Sequence, residues 1–312
     1  MESAAIDRFE AGRARLASLA YRLLGSAADA EDAVQDAFLR WQAADRERIE
    51  VPEAWLTKVV TNLCLDRLRS AQARHERAVG DWLPEPLLEG DPMLGPAETF
   101  EQRESVSLAV LTLMERLSPV ERAAYVLREA FSYPHAEIAG ILGITESASQ
   151  QHVHRARRRV AAERRGGDEV DRAAARRVVE EFLAAATSGR TDQLVAMLTA
   201  DVTMVSDGAG LAKRLLRYRT PERVATIVRA GFRPTPAKRR LAGGSPAFHM
   251  ALVNGSPAVL AVVEGRVVGA VAFELSGGRV ASLRGVAAAD RLTRLNAAWQ
   301  QHQSDAPAIT GW

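Results

Sequence analysis

The spacing of apolar residues changes period once along this chain, and that change constrains its fold more than any other feature. From Ile6 to His75 the apolar side chains recur at three and four: Leu16, Leu19, Ala20, Leu23 and Leu24, then Val34, Ala37, Phe38 and Trp41, then Trp55, Val59 and Leu63. That is the repeat of one face of an α-helix, and three helices are expected. The same spacing returns from Arg103 to about Arg165, and again at Val170, Ala174, Val178, Phe182 and Leu183. Beyond residue 200 the repeat shortens. VTMVS at 202–206, and FHMALV, PAVLAVV, VVGAVAFEL and RVASLRGV between 248 and 286, read as strands. Turn signals at Asn254-Gly255, Glu264-Gly265-Arg266 and Ser276-Gly277-Gly278 separate them. Helices followed by an antiparallel meander make an α+β domain. The expectation is therefore a multidomain chain, all-α first and α+β last.

Local chemistry punctuates the helices. Gly25 and Ser26 supply a stop and a cap, and Pro52 suits the first turn of a third helix, where its missing N–H costs nothing. Ser118-Pro119-Val120-Glu121 has the form of a capping box. Pro134 suits a first helical turn, Gly143 a turn, and Thr145 an N-cap. Two short helices around a Gly-containing turn spell a helix-turn-helix, with Ile138, Ala139 and Leu142 on one inner face and Val153, Ala156 and Val160 on the other. Residues 80–98 hold four of the 13 prolines with five acids and no base, which disfavours helix. A semi-rigid spacer and a docking linker are equally good readings there, with Trp82, Leu83, Leu87 and Leu88 favouring docking. The boundaries that follow are 1–76, a linker at 77–104, a helix-turn-helix unit at 105–165 and an α+β unit at 168–300.

Length allows several domains, each with a core of its own. The net charge of +2 is uninformative, but its distribution is uneven. Residues 27–36 carry four acids and no base, whereas residues 152–165 carry six arginines and one glutamate. The lone Cys64 excludes an internal disulfide, and the N-terminus has no secretory apolar stretch, so a cytoplasmic protein is expected. No run reaches the roughly 20 apolar residues of a membrane-spanning helix. His135, His152 and His154 have no carboxylate or cysteine at ligand spacing, so no metal is expected, and no phosphate-cradling glycine loop points to a nucleotide cofactor.

On the second helix of the helix-turn-helix, Ser147, Gln150, Gln151, His154, Arg155, Arg157 and Arg158 take exposed positions. Gln and Ser can bond base edges, and Arg can bond guanine or sit on phosphate. The plainer reading is a solvated basic helix end favouring the macrodipole. The cluster Asp29, Glu31, Asp32, Gln35 and Asp36 opens the second helix of the chain, where acids also serve the dipole. Asn62, Asp66, Arg67 and Arg69 form a polar stripe on the third, for which a solvated face is the default.

Taken in order, YRLLGSAADAEDAVQDAFLRWQ, PEAWLTKVVTNLCLDRLR and LSPVERAAYVLREAFSYPHAEIAGILGITESASQQHVHRARRRV resemble conserved regions two and four of extracytoplasmic-function RNA polymerase sigma factors. The resemblance implies that Asp29, Glu31, Asp32, Gln35 and Asp36 face the basic clamp helices of the polymerase β′ subunit, where complementary charge would speed docking. It implies that Asn62, Asp66, Arg67 and Arg69, with the loop from Gln42 to Pro52, recognise and help melt the -10 element, and that the helix-turn-helix reads the -35 element. RNA polymerase core, through β′ and β, and promoter DNA would be the partners.

The linker beginning WLPEPL and the α+β tail resemble the branch of that family carrying a SnoaL-like, or NTF2-like, cone-shaped barrel. That branch has D-G-G-G and N-P-D-K-L marks. Here Asp207-Gly208-Ala209-Gly210 and Ala288-Ala289-Asp290-Arg291-Leu292 stand instead, so Asp207, Gly208 and Asp290 are candidates for a regulatory contact through altered loops. Relatives of the barrel include cyclases and isomerases. Asp207 and His249 are the polar residues to weigh, but Asp before Gly is a common turn residue and His249 alternates with apolar neighbours as a core histidine does. No catalytic residue is assigned. The sequence leaves open a stand-alone helix-turn-helix repressor, a small-molecule-converting barrel, and a ligand bound in the barrel.

Overall fold

A computed structural model of the chain describes residues 2–73, 83–95, 105–163, 171–212, 214–302 and 306–310. Trp82, Val170 and linker positions 77–82 and 96–104 lie outside the described residues. The chain divides into two compact units: Met1–Pro84 with Gly90–Val106 and Val110–Glu163, and Glu85–Glu89 with Ser107–Ala109 and Arg164–Trp312. Part of the expected linker thus belongs to each.

The first unit is helical: α1 (Glu2–Leu24), α2 (Ala27–Ala43), α3 (Pro52–Ala73), α4 (Leu108–Met114), α5 (Pro119–Glu129), α6 (His135–Leu142) and α7 (Glu146–Glu163). Gly25, at φ 66, ends α1, and the Ser26 side chain caps α2 by accepting from the Asp29 amide at 3.2 Å. The capping box at α5 is complete, with Glu121 Oε2 accepting from the Ser118 amide at 3.1 Å. Pro134 stands one residue earlier than expected, as the N-cap of α6. Ile141, three residues on from Ile138, takes the interior place expected of Leu142, which is only half-buried.

Arg22 sits in the middle of this unit with 1% of its surface exposed. Its Nε donates to Ser105 Oγ at 3.1 Å and its Nη2 to the Leu94 carbonyl at 2.9 Å, while Nη1 reaches Ser18. The guanidinium lies 5.5 Å from the Phe131 ring centre, and the Arg22 carbonyl accepts from Arg122. Nearby, Arg15 donates to the Tyr133 hydroxyl at 2.6 Å and to Thr57. Helices from both halves of the unit are thereby held on α1.

The second unit contains α8 (Arg172–Ser188), α9 (Thr191–Ala196), α10 (Pro221–Phe232), α11 (Pro236–Ala242) and α12 (Thr293–Gln301), with β1 (Leu198–Ser206), β2 (Leu216–Arg219), β3 (Ala247–Val253), β4 (Ser256–Val263), β5 (Arg266–Ser276) and β6 (Arg279–Val286). They form one sheet in the order β2-β1-β6-β5-β4-β3. The meander from β3 to β6 is antiparallel as expected, but β1 joins β6 in parallel, because the chain passes through β2, α10 and α11 before it returns to the sheet. β2 was not expected: LRYR is four residues long, mostly exposed, and half arginine. The core lies on the helix-covered face, where the rings of Phe182 and Phe273 meet edge-on at 5.5 Å.

The outer side of β3 is covered by two other stretches of chain. Near one end, Asn254 Oδ1 accepts from the Leu87 amide at 2.8 Å, its own amide donates to the Leu87 carbonyl at 2.9 Å, and the Glu89 amide donates to Leu252. At the other, the Phe248 amide donates to the Ile309 carbonyl at 3.0 Å. Asn254 and Gly255 have φ of 52 and 74, the left-handed pair that a two-residue hairpin turn requires.

The loop after β1 runs through three successive left-handed residues. Gly208, Ala209 and Gly210 take φ of 61, 58 and 72, all left-handed. The Asp207 carboxylate fixes the loop, accepting from the amides of Ala209 at 3.0 Å, Ala287 at 3.0 Å and Ala288 at 2.9 Å. Ala209 therefore holds a conformation that costs an L-residue about 1 kcal/mol. Ala209→Gly should raise stability by roughly 0.5–1 kcal/mol, visible as a higher Tm; a lower Tm would mean that the side chain contributes packing instead.

Glu121 is nearly buried, and besides its cap it ion-pairs with Arg159 at 2.6 Å and Arg155 at 3.8 Å. Burial pushes its carboxyl up, but the Ser118 hydrogen bonds and the two arginines outweigh this and hold it below its ordinary 4.5. An acid held low contributes stability above its unfolded pKa that is lost as pH falls through the folded value. Glu121→Gln should cost about 1–3 kcal/mol at neutral pH, measured by denaturant unfolding, and the deficit should shrink once the pH is well below 4.5.

Candidate polymerase and nucleic-acid interfaces

α7 begins after Thr145, whose hydroxyl accepts from the Ala148 amide at 3.1 Å, and Gly143 supplies the left-handed turn before it. Ser149, Val153, Ala156 and Val160 are buried, so the turns between them face outward. Ser147, Gln150, Gln151, His154, Arg155, Arg157 and Arg158 are all exposed. They form one polar, basic face, but its cations are not equivalent. Arg157 donates to Glu129 through Nε at 3.1 Å and Nη2 at 2.8 Å, and Arg155 lies near Glu121. Arg158 has no ion pair among the described residues. His152, with its Nδ1 buried and unbonded, is held neutral-leaning by burial and then by Arg155. Arg159, absent from the sequence-derived set, is the closest partner of Glu121. Its i+4 spacing from Arg155 was the available signal.

α2 and α3 bring the acidic cluster and the polar stripe together. Arg67 donates through Nη1 to the Asp29 carbonyl and through Nη2 to Asp36, both at 2.8 Å, and lies 4.0 Å from Asp32. Glu31, Asp32 and Gln35 remain exposed and Asp29 and Asp36 half-buried. Arg69 pairs at 3.4 Å with Asp66 one turn away, both exposed, and Asn62 is half-buried. Arg67 thus acts first as a clamp between two helices. Cys64 is buried behind the stripe, where desolvation pushes its thiol up to about 12, so it stays an unreactive thiol.

In the second unit Asp207 is buried as a loop anchor, Gly208 stands in the left-handed run, and Asp290 is exposed on the turn that precedes α12. His249 points away from the core and packs edge-on against Trp299, 5.1 Å between ring centres. Neither Asp207 nor His249 lines the cavity of this unit. That cavity, about 620 Å³, is enclosed by all six strands with α8, α10, α11 and α12, and includes Phe182, Tyr218, Phe232, Phe248 and Phe273. The lining among the described residues contains no Asp, Glu, His or Cys; its ionisable members are Tyr218, Lys238 and Arg266. No group of His, Cys, Asp or Glu among the described residues could hold a metal, and no helix there is long and apolar enough to cross a membrane.

Residues 8–74 match the Sigma-70 region 2 family and residues 107–160 match Sigma-70, region 4. The chain is 42% identical over 214 residues to the ECF RNA polymerase sigma factor SigJ of Mycobacterium tuberculosis, covering 68% of each protein. It is 33% identical over 281 residues to the probable ECF RNA polymerase sigma factor SigI of the same organism, covering 88% of this chain and 90% of the relative. The crystal structure of M. tuberculosis SigJ superposes with a TM-score of 0.69 at 34% identity, spanning 93% of this chain and 98% of the other. With both sigma regions matched, and one relative alike along almost the whole length, the chain belongs to the extracytoplasmic-function sigma factors of the SigJ-type branch, which bind core RNA polymerase and direct initiation at specific promoters.

Proposed function

We propose a division of labour within this sigma factor. The acids of α2, led by the exposed Glu31, Asp32 and Gln35 and flanked by Asp29 and Asp36, dock on the basic β′ clamp of the polymerase. Asn62, Asp66 and Arg69 on α3, with Arg67 anchoring their helix to α2, take the -10 element. Ser147, Gln150, Gln151, His154 and Arg158 read the -35 element, and Arg155 and Arg157 do so once released from Glu121 and Glu129. The units are those read from the sequence, 1–76, 77–104, 105–165 and 168–300, and the protein works in the cytoplasm, where transcription takes place. The observation that carries this reading is the face of α7, on which every residue expected to meet DNA is exposed while its apolar residues are buried. Family membership leaves a stand-alone repressor without support.

The C-terminal unit regulates in cis and does not catalyse. General base catalysis needs a titratable group within reach of a substrate, and the lining among the described residues has no Asp, Glu, His or Cys, while its Lys238 is bonded to the carbonyls that end α10. Regulation has a physical handle: Asn254 and Leu252 hold linker residues Glu85–Glu89 as an added strand, and Arg172 pairs with Glu89 at 2.8 Å. Asp207, Gly208 and Asp290 shape the neighbouring loops. Deleting residues after 168 should change transcription or core affinity, and no change in either would sink the idea. Asn254→Gly keeps the turn but removes the side-chain acceptor for Leu87, so it should shift activity in the same direction as the deletion.

Transcription of sheared genomic DNA by purified core polymerase, with and without the protein, tests the assignment as a whole. New RNA 5′ ends should share two spaced upstream elements. Within such a promoter, Gln150→Ala should relax sequence preference in the -35 element, with a loss of roughly 1–3 kcal/mol at the contacted base. Asp32→Lys should slow association with core about tenfold at low salt and less at high salt, as expected of a steering charge; a salt-independent loss would point to misfolding.

A further inference from the structure

The cavity of the C-terminal unit has two kinds of wall. Its depth is apolar and aromatic: Phe182, Phe248 and Phe273 are buried there, with Met204, Phe232 and Val271 alongside. Its rim is cationic and exposes apolar side chains. Leu216 and Leu241 both line it and are 38% and 59% exposed, which puts them among the few large apolar side chains left in water among the described residues. The segment from Arg233 to Ala247, which carries α11, contains Arg233, Lys238, Arg239 and Arg240 and no acid.

The two lining cations differ. Lys238 donates to the carbonyls of Ala230, Gly231 and Arg233 and so closes the end of α10; its charge is committed to that helix. Arg266, the first residue of β5, reaches toward the end of α11, where Gly243 leaves room beside its guanidinium. It has no hydrogen bond or ion pair from that guanidinium among the described residues, and it is exposed at the rim. Asn296, the other polar group near Arg266, is spent on the backbone of Val267 and on the Leu292 carbonyl. Sites of roughly 300–1,000 Å³ that are mostly apolar with a few placed polar groups are the ordinary form of small-molecule pockets.

From this arrangement we propose that the cavity binds a small apolar monoanion of the carboxylate class. Its hydrocarbon body lies among the phenylalanines, and its carboxylate meets the Arg266 guanidinium in a charge-assisted pair. Such a pair is geometrically suited to the fork of an arginine. The ligand is held unchanged, because the lining among the described residues has no carboxylate, imidazole or thiol to act on it. This assignment concerns the pocket alone and does not depend on whether the unit regulates initiation.

The test is calorimetric titration of the full chain with dodecanoate below its micellar concentration, and with dodecanol, which has the same body and no charge. Dodecanoate should bind one to one. Arg266→Gln, a surface change that leaves the core intact, should weaken dodecanoate about tenfold and dodecanol less than about twofold. Ala261→Trp, which fills the cavity from β4, should abolish both. Absence of dodecanoate binding to the unaltered protein would overturn the proposal, as would equal affinity of the Arg266→Gln protein for dodecanoate. Binding that survives Ala261→Trp in a protein with an unchanged melting profile would place the ligand elsewhere and overturn it too.

Discussion

A guanidinium taken out of water holds the helical unit together. Among the described residues no carboxylate pairs with Arg22; its hydrogens go to a carbonyl from the linker and to serine hydroxyls from α1 and from the segment before α4, with the Phe131 ring beside it. Desolvation lowers its pKa from the ordinary arginine range to about 10. It remains charged at neutral pH, so the burial cost is carried by the folded state and offset by the bonds around it. Two of those bonds come from stretches 72 and 83 residues away, and the Arg22 carbonyl takes a further one from Arg122. An apolar residue of the same length would fill the space but could not satisfy the Leu94 carbonyl. The Arg22 side chain thus ties the linker to α1, and its backbone carbonyl ties α5 there through Arg122.

Charge is paired in a similar way where α2 meets α3 and on the outer face of α7. Three arginines on these faces lean on acidic or carbonyl oxygens: Arg67 has Asp36 and the Asp29 carbonyl, Arg157 has Glu129, and Arg155 has Glu121. Arg155 and Arg157 are 53% and 54% exposed, so screening keeps each of their pairs worth less than about 1 kcal/mol, whereas Arg67 is only 30% exposed. The exposed pairs orient their side chains and cost little to break. Glu121 is the exception, buried and bonded to Ser118 as well, so it is fixed by the fold.

Much of this could be read from the residues themselves. The three-four spacing, Ser26, Pro52, the Ser118–Glu121 box, Gly143 and Thr145 are local features, and each marks a helix end that depends only on its neighbours in sequence. The exposed face of α7 follows from the same repeat. What could not be read depends on residues distant in sequence. β2 is an edge strand of four residues, two of them arginine, and only its register on β1 makes it a strand. The parallel pairing of β1 with β6 is set by the long excursion between them. The role of Arg67 as a clamp needs α2 and α3 side by side, and Arg266 becomes notable only when β5 borders a cavity. Asn254 was legible as a turn; its side chain as an acceptor for Leu87, 167 residues away, was not.

β3 ends the sheet, and its outer hydrogen-bonding groups are taken in part by Leu87 and Glu89 and in part by Ala308 and Ile309. Both covers come from outside the meander, one of them from Glu85–Glu89, far earlier in the chain. A C-terminal fragment starting at residue 168 would lose the first cover and present a bare edge between apolar faces. Such an edge is a template for another strand. The fragment would then be prone to pair with copies of itself through β3, and the linker strand serves the solubility of the domain as well as its attachment.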